Sequence, residues 1–397
     1  MSTRIFVSGY GIISALGFNA DENLNTLKMQ KSGIEKSMHL QTSKSVVVGE
    51  VKASNDQLKS FANISAKKTL SRTALLGLIA SREAIASAKL EAAEIGQAGI
   101  INGTSVGGMD ISEIAYSKIL VGKAVNINDS FSGHDCGHST HVIAEQLKIK
   151  GYNSTISTAC SSSANSIMHG AMLIKSGQLN CAVVGGTDAL SLFTLNGFDS
   201  LKILDSEWCR PFDKNRKGLN LGEGAAYLVL ESEEHIKARN GKGIAELVGY
   251  GNANDAYHQT ASSPEGNGAY FAIKKALDIA NLSAHKISYI NAHGTGTNNN
   301  DQSESWALQN IFSHDLPPYS STKAFTGHTL GAAGGIEAVF SVMALQEQSL
   351  LPNINLNQPM GIIDAPNTIY QSKQISNVLS NSFGFGGNCS SLIFSKA

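Results

Sequence analysis

The chain has 397 residues, 42% of them hydrophobic and 16% charged, enough for a large buried core and unlike a disordered protein. At about 150 residues per domain, the length allows two or three domains or one double-sized body. Lys plus Arg is 31 and Asp plus Glu is 32, a net charge of −1 that gives no bulk electrostatic reason to bind nucleic acid or anionic membrane.

In chain order, residues 5–8 predict a strand ending in a turn at Gly9 and Gly11, an apolar run too short for a secretory leader. Residues 71–89 predict a helix rich in small residues, and 99–103 a buried strand. A strand over 154–158 leads into Cys160, followed by a helix over 161–175 and strands over 181–185 and 225–230. The second half has a similar outline: strand 245–251, helix 268–280, strand 287–292, and helices 303–311 and 331–346. Residues 378–381 and 390–394 predict a hairpin around Phe383-Gly384-Phe385-Gly386-Gly387.

This alternation predicts an α/β architecture. The similarity of the halves predicts an internal duplication, with one half over 1–244 and the other over 245–397. No Pro-, Ser- or charge-rich linker separates them, so one body is expected. No stretch approaches the roughly 18 apolar residues of a membrane span. Five scattered cysteines are not a disulfide framework and suit a reduced, cytoplasmic protein.

Chemistry concentrates in a few segments. Thr158-Ala159-Cys160-Ser161-Ser162-Ser163 sets a thiol at a strand-to-helix junction. The positive end of a helix predicts a lowered thiol pKa, and its free N–H groups suit an oxyanion. His293 sits at a strand end, before the tight loop Gly294-Thr295-Gly296-Thr297. Lys323 and His328 precede a second helix that opens with Gly331-Ala332-Ala333-Gly334-Gly335, as Cys160 precedes Ser161-Ser162-Ser163-Ala164. Asp301 and Glu304 open the helix after His293, and Glu304 is placed to pair with Lys323 if the loops converge.

These segments, in this order and spacing, resemble the elongating β-ketoacyl-acyl-carrier-protein synthases, with Arg210-Pro211-Phe212-Asp213 and Gly222-Glu223-Gly224-Ala225 adding to the match. The resemblance covers nearly the whole chain. It implies the thiolase-like five-layer α-β-α-β-α stack built from two related halves, and a homodimer or a heterodimer with a related subunit. It implies decarboxylative condensation between an acyl group on Cys160 and malonyl-acyl carrier protein, with no metal or organic cofactor. His293 and His328 would promote decarboxylation, with Lys323 and Glu304 as a supporting charged pair. The N–H groups of Cys160 and Phe385 would form the oxyanion hole, and Phe385 would also be a gate. Thr295 and Thr297 would bind the phosphopantetheine arm, and Val106 would stand at the mouth of the acyl pocket.

The sequence departs from the common fatty-acid enzymes at Asn298-Asn299-Asn300 and at Asn388-Cys389, where it resembles synthases of specialised pathways such as aryl polyenes. Lys67, Lys68 and Arg72 form a basic cluster suited to an acidic carrier protein. His134, Cys136, His138 and His141 crowd one segment, read as an interface or pocket loop rather than a metal site. Three alternatives compete: an inactive chain-length-factor subunit, which would lack the cysteine; a degradative thiolase, which would need a second catalytic cysteine near the C-terminus, where Cys389 is the only candidate; and a thiol hydrolase, which needs a base and an orienting acid rather than two His plus Lys.

Overall fold

Ten strands and six helices carry the architecture, and they fall into two runs of the same order. The computed structural model describes residues 3–40, 42–127 and 131–397. The first run holds strands β1 (Ile5–Ile13), β2 (Gly99–Gly103), β3 (Asn153–Ile156), β4 (Cys181–Asp188) and β5 (Gly224–Ser232). Its helices are α1 (Arg72–Ala88), α2 (Cys136–Leu147) and α3 (Ser162–Lys175). The second run holds β6 (Ala245–Asn254), β7 (Tyr289–Asn291), β8 (Tyr319–Ser320), β9 (Asn377–Phe383) and β10 (Asn388–Lys396). Its helices are α4 (Asn267–Ala280), α5 (Asn298–Phe312) and α6 (Ala333–Glu347).

The strand order is β1-β5-β4-β2-β3 in one run and β6-β10-β9-β7-β8 in the other. In each, the first two pairings are antiparallel and the last two parallel. The two sheets meet where β1 and β6 pair, Phe6 with Glu246 and Val7 with Ala245. Helices α1 and α2 cover the outer face of the first sheet, α3 and α6 lie between the sheets, and α4 and α5 cover the second. This is the five-layer α-β-α-β-α stack.

Gly9 and Gly11 do not end β1; the strand continues to Ile13. A side chain on Gly9 would come within 2.3 Å of the Ala88 amide nitrogen, and one on Gly11 within 2.2 Å of the Ala80 carbonyl oxygen. The glycines let the backbone of α1 lie directly on the strand. The second run repeats the device. Side chains on Gly249 and Gly251 of β6 would come within 2.3 Å of Ala276 O and 2.1 Å of Ala272 O, both in α4. In the central layer, a side chain on Gly334 of α6 would come within 2.8 Å of the Ala164 Cβ of α3. The Gly335 N–H donates to Ser163 Oγ at 2.7 Å. The small residues at both helix starts bring the two helices together at the centre of the molecule.

The helix after His293 starts five residues earlier than the sequence predicts. Thr297 caps it, its side chain accepting the Asn300 N–H, and three asparagines of modest helical propensity form its first turn. Asp301 and Glu304 therefore lie further along α5 than expected, and both are buried.

Candidate active site

Both central helices point their starts at one cavity of about 220 Å³. Cys160, His293 and His328 line it, together with Thr295, Thr297, Phe198 and Phe385. The distant segments that carry the sulfur and the two imidazoles thus converge.

Cys160 follows Ala159, whose φ of 52° turns the chain sharply between β3 and α3. The side chain is 5% exposed. The backbone N–H groups of Cys160 and Phe385 both favour the ionised sulfur. The lowered thiol pKa expected from the helix start is not found. Burial pushes the Cys160 thiol up to about 11, outweighing the opposing pull of Lys323 and the two N–H groups. The closed site holds a thiol at rest, with two donors already gathered around it.

The imidazoles stand edge to face, their centroids 5.5 Å apart. His328 Nδ1 accepts the Leu330 N–H at 3.1 Å, which leaves its proton on Nε2. His293 Nδ1 lies 3.1 Å from Lys323 Nζ, which as an ammonium can only donate, so this ring also carries its proton on Nε2. Burial, and then the Lys323 charge, hold both rings well below the usual histidine pKa of 6.5. Both are neutral donors at pH 7.

The expected pairing of Lys323 with Glu304 is corrected. Lys323 Nζ forms a buried ion pair with Glu337 of α6, and also donates to the His293 carbonyl oxygen at 2.6 Å. With His293 Nδ1, its three protons are all engaged. Glu304 instead accepts the N–H groups of His293 and Gly294 at 2.9 and 2.8 Å, and the Asn381 side chain at 3.1 Å. Burial pushes the Glu304 and Glu337 carboxyls up to about 7. The sequence reading missed Glu337. The signal was an acid inside an otherwise apolar helix, where an unpaired charge is costly.

Thr295 and Thr297 lie at the cavity, their hydroxyls 2.9 Å apart. The Phe385 ring stacks on Phe198, centroids 5.7 Å apart. Val106 does not line the cavity. It packs in an apolar cluster with Leu219, Phe198 and Ile203, which do line it. Lys202 and Lys217 also line it and carried no signal in the sequence.

Arg72 is withdrawn from the basic docking cluster. It is 6% exposed, and its guanidinium pairs with buried Glu223 and donates to the carbonyls of Val51 and Ala53. Lys67 and Lys68 are exposed, and Lys68 lies 3.7 Å from Glu145. His134 Nδ1 contacts Ser112 Oγ at 3.0 Å, and among the described residues no group of three or more His, Cys, Asp or Glu could hold a metal ion. Cys389 is buried beside Gly268, Ala269 and Phe383 and does not line the cavity, which disfavours a two-cysteine thiolase.

A duplicated five-layer scaffold with a buried thiol, two N–H donors and two neutral imidazoles defines a condensing enzyme that works through an acyl-thioester. The β-ketoacyl synthase N-terminal domain matches residues 2–235, and the C-terminal domain of the same enzymes matches residues 244–357. The chain belongs to the β-ketoacyl synthase family. It is 33% identical over 409 residues to 3-oxoacyl-[acyl-carrier-protein] synthase 2 of Staphylococcus aureus (strain COL), covering 99% of this chain and 98% of that one. The structure of the ishigamide ketosynthase/chain length factor superposes with a TM-score of 0.94 at 29% identity, over 100% of both chains. The ketosynthase (ApeO) in complex with its chain length factor (ApeC) from Xenorhabdus doucetiae superposes with a TM-score of 0.86 at 34% identity, over 100% of this chain and 98% of that one.

Proposed function

We propose that the chain condenses an acyl group held on Cys160 with malonyl-acyl carrier protein, in the cytoplasm, for fatty acid or specialised polyketide-type synthesis. The observation that carries this reading is that Cys160, His293 and His328 share one cavity. The proposed division into halves at 244/245 rests on the repeated strand order.

In the first step, Cys160 sulfur attacks the thioester carbonyl of an acyl carrier. The carbonyl oxygen becomes an oxyanion between the Cys160 and Phe385 N–H groups. The carrier thiolate leaves and takes up the proton that Cys160 gives up. In the second step, the C–C bond to the carboxylate of the malonyl thioester breaks. Carbon dioxide departs, and the electron pair forms an enolate whose oxygen accepts from the Nε2–H groups of His293 and His328. The enolate carbon then attacks the acyl-Cys160 carbonyl. The sulfur leaves as thiolate and is reprotonated from water.

Lys323 acts through His293: it fixes the ring's tautomer and disfavours its protonation. Glu304 holds the backbone of the His293 loop. Thr295 and Thr297 suit the amide-rich phosphopantetheine arm, and Phe385 suits a gate stacked on Phe198. Lys67 and Lys68 suit an acidic carrier surface. The likeness to ketosynthases solved with chain length factors supports a dimer with a related subunit beside the homodimer. Among the described residues no helix is long and apolar enough to cross a membrane.

Intact mass of the protein after exposure to acyl-carrier protein tests the reading. Wild type is expected to gain one acyl group, and Cys160→Ala none. Equal adducts on both, or none on wild type, would reject Cys160 as the nucleophile.

A further inference from the structure

We propose that Asn388 is a positioning residue that ties the two halves of the oxyanion hole together. The inference rests on the acylation of Cys160 proposed above. The two N–H donors come from turns 225 residues apart in sequence, one at Cys160 and the other at Phe385. Their alignment needs a physical connection, because an N–H donor loses most of its effect when it is misaimed.

Asn388 supplies that connection. Its carbonyl oxygen accepts the Gly384 N–H at 2.8 Å, closing the turn that carries Phe385. Its side-chain Oδ1 reaches the other turn, lying 2.7 Å from Ser161 Oγ, next to the nucleophile. Ser161 Oγ is also 2.8 Å from Thr158 O, on the near side of Cys160. The same Oδ1 accepts from Asn165 of α3 at 2.8 Å and Asn252 of β6 at 2.9 Å. Asn165 Oδ1 in turn accepts from Asn252 at 3.0 Å. One oxygen thus gathers donors from the central helix, the second sheet and the nucleophile turn. The two turns are also in direct contact: a side chain on Gly384 would come within 2.8 Å of Thr158 O and 3.1 Å of the Cys160 nitrogen.

The imidazole pair is held separately. His293 and His328 are fixed by Lys323, Glu304, Asn220 O and the Leu330 N–H, none of which bonds to Asn388. Loss of the Asn388 side chain should therefore misalign acyl transfer and spare decarboxylation.

The test measures both half-reactions in wild type, Asn388→Ala, Ser161→Ala and the double variant. Single-turnover acylation of Cys160 by acyl-carrier protein is read by intact mass, and carbon dioxide release is read from malonyl-carrier protein. Asn388→Ala is expected to slow acylation by about tenfold or more, with decarboxylation within about threefold of wild type, a split that general loosening of the site would not give. The double variant is expected to lose less than the product of the single effects, because the two residues share one contact. Acylation at the wild-type rate in Asn388→Ala, equal loss in both half-reactions, or fully multiplicative single effects would each overturn the proposal. If wild type itself is not acylated, the fault lies in the assignment of Cys160.

Discussion

The starts of α3 and α6 occupy equivalent places in the two runs, yet they carry opposite chemistry. At α3, a strained residue, Ala159, delivers a thiol among N–H donors. At α6, Lys323 and Glu337 place a buried ion pair behind two imidazoles. The first end gathers hydrogen-bond donors around a group that becomes negative. The second combines burial with a positive charge so that its two rings stay uncharged. The repeated frame is common to both ends, and the local charge at each suits the role proposed for it: acyl capture on one side, enolate stabilisation on the other.

The largest effect that would break this division comes from removing an imidazole. His328→Ala or His293→Ala is expected to slow carbon dioxide release by roughly 100-fold or more while Cys160 still becomes acylated, as rapid-quench and mass measurements on the same sample would show. Acylation falling as steeply as decarboxylation would mean that the two ends do not divide the work.

The ion pair comes next, with its effect on stability and not on rate. Glu337→Ala leaves the Lys323 charge buried without its carboxylate partner, and is expected to cost about 3–5 kcal/mol of stability in denaturant unfolding. A loss below about 1 kcal/mol would show that the pair is not what settles the second end.

The last test concerns the resting thiol and needs no substitution. Burial raises the Cys160 pKa to about 11, so its thiolate fraction is small at pH 7 and grows about tenfold per pH unit below that value. Alkylation of Cys160 by iodoacetamide should climb steadily from pH 7 to 10. A plateau below pH 9 would mean that the helix start, and not burial, sets the thiol's acidity.

Much of this site was legible in the sequence because its residues sit at junctions that punctuation marks clearly. Cys160 before Ser161-Ser162-Ser163 and His293 before Gly294 both stand where a strand must stop. What was not legible depended on long-range packing. Arg72 looked like one of three surface cations, and only the fold brings Glu223 to it. Glu304 looked like the partner of Lys323, and only the stacking of α6 puts Glu337 closer. Helix-end reasoning gave the wrong direction for the thiol because it counts the dipole and leaves out burial, the larger effect here. One signal was present and misread: Gly9-Tyr10-Gly11 and Gly249-Tyr250-Gly251 are the same triplet at the same place in each run. Taken as a turn, the first hid the clearest trace of the duplication.

The tautomer that Lys323 imposes on His293, and the Leu330 N–H on His328, has a consequence for yield. A neutral ring N–H is a very weak acid, so it can hold the enolate oxygen without surrendering a proton to the neighbouring carbon. An imidazolium in the same place would hold the oxygen more strongly but could quench the carbanion, wasting a malonyl unit as a simple acetyl thioester. In the reaction proposed above, two uncharged rings would favour carbon–carbon bond formation over that side reaction.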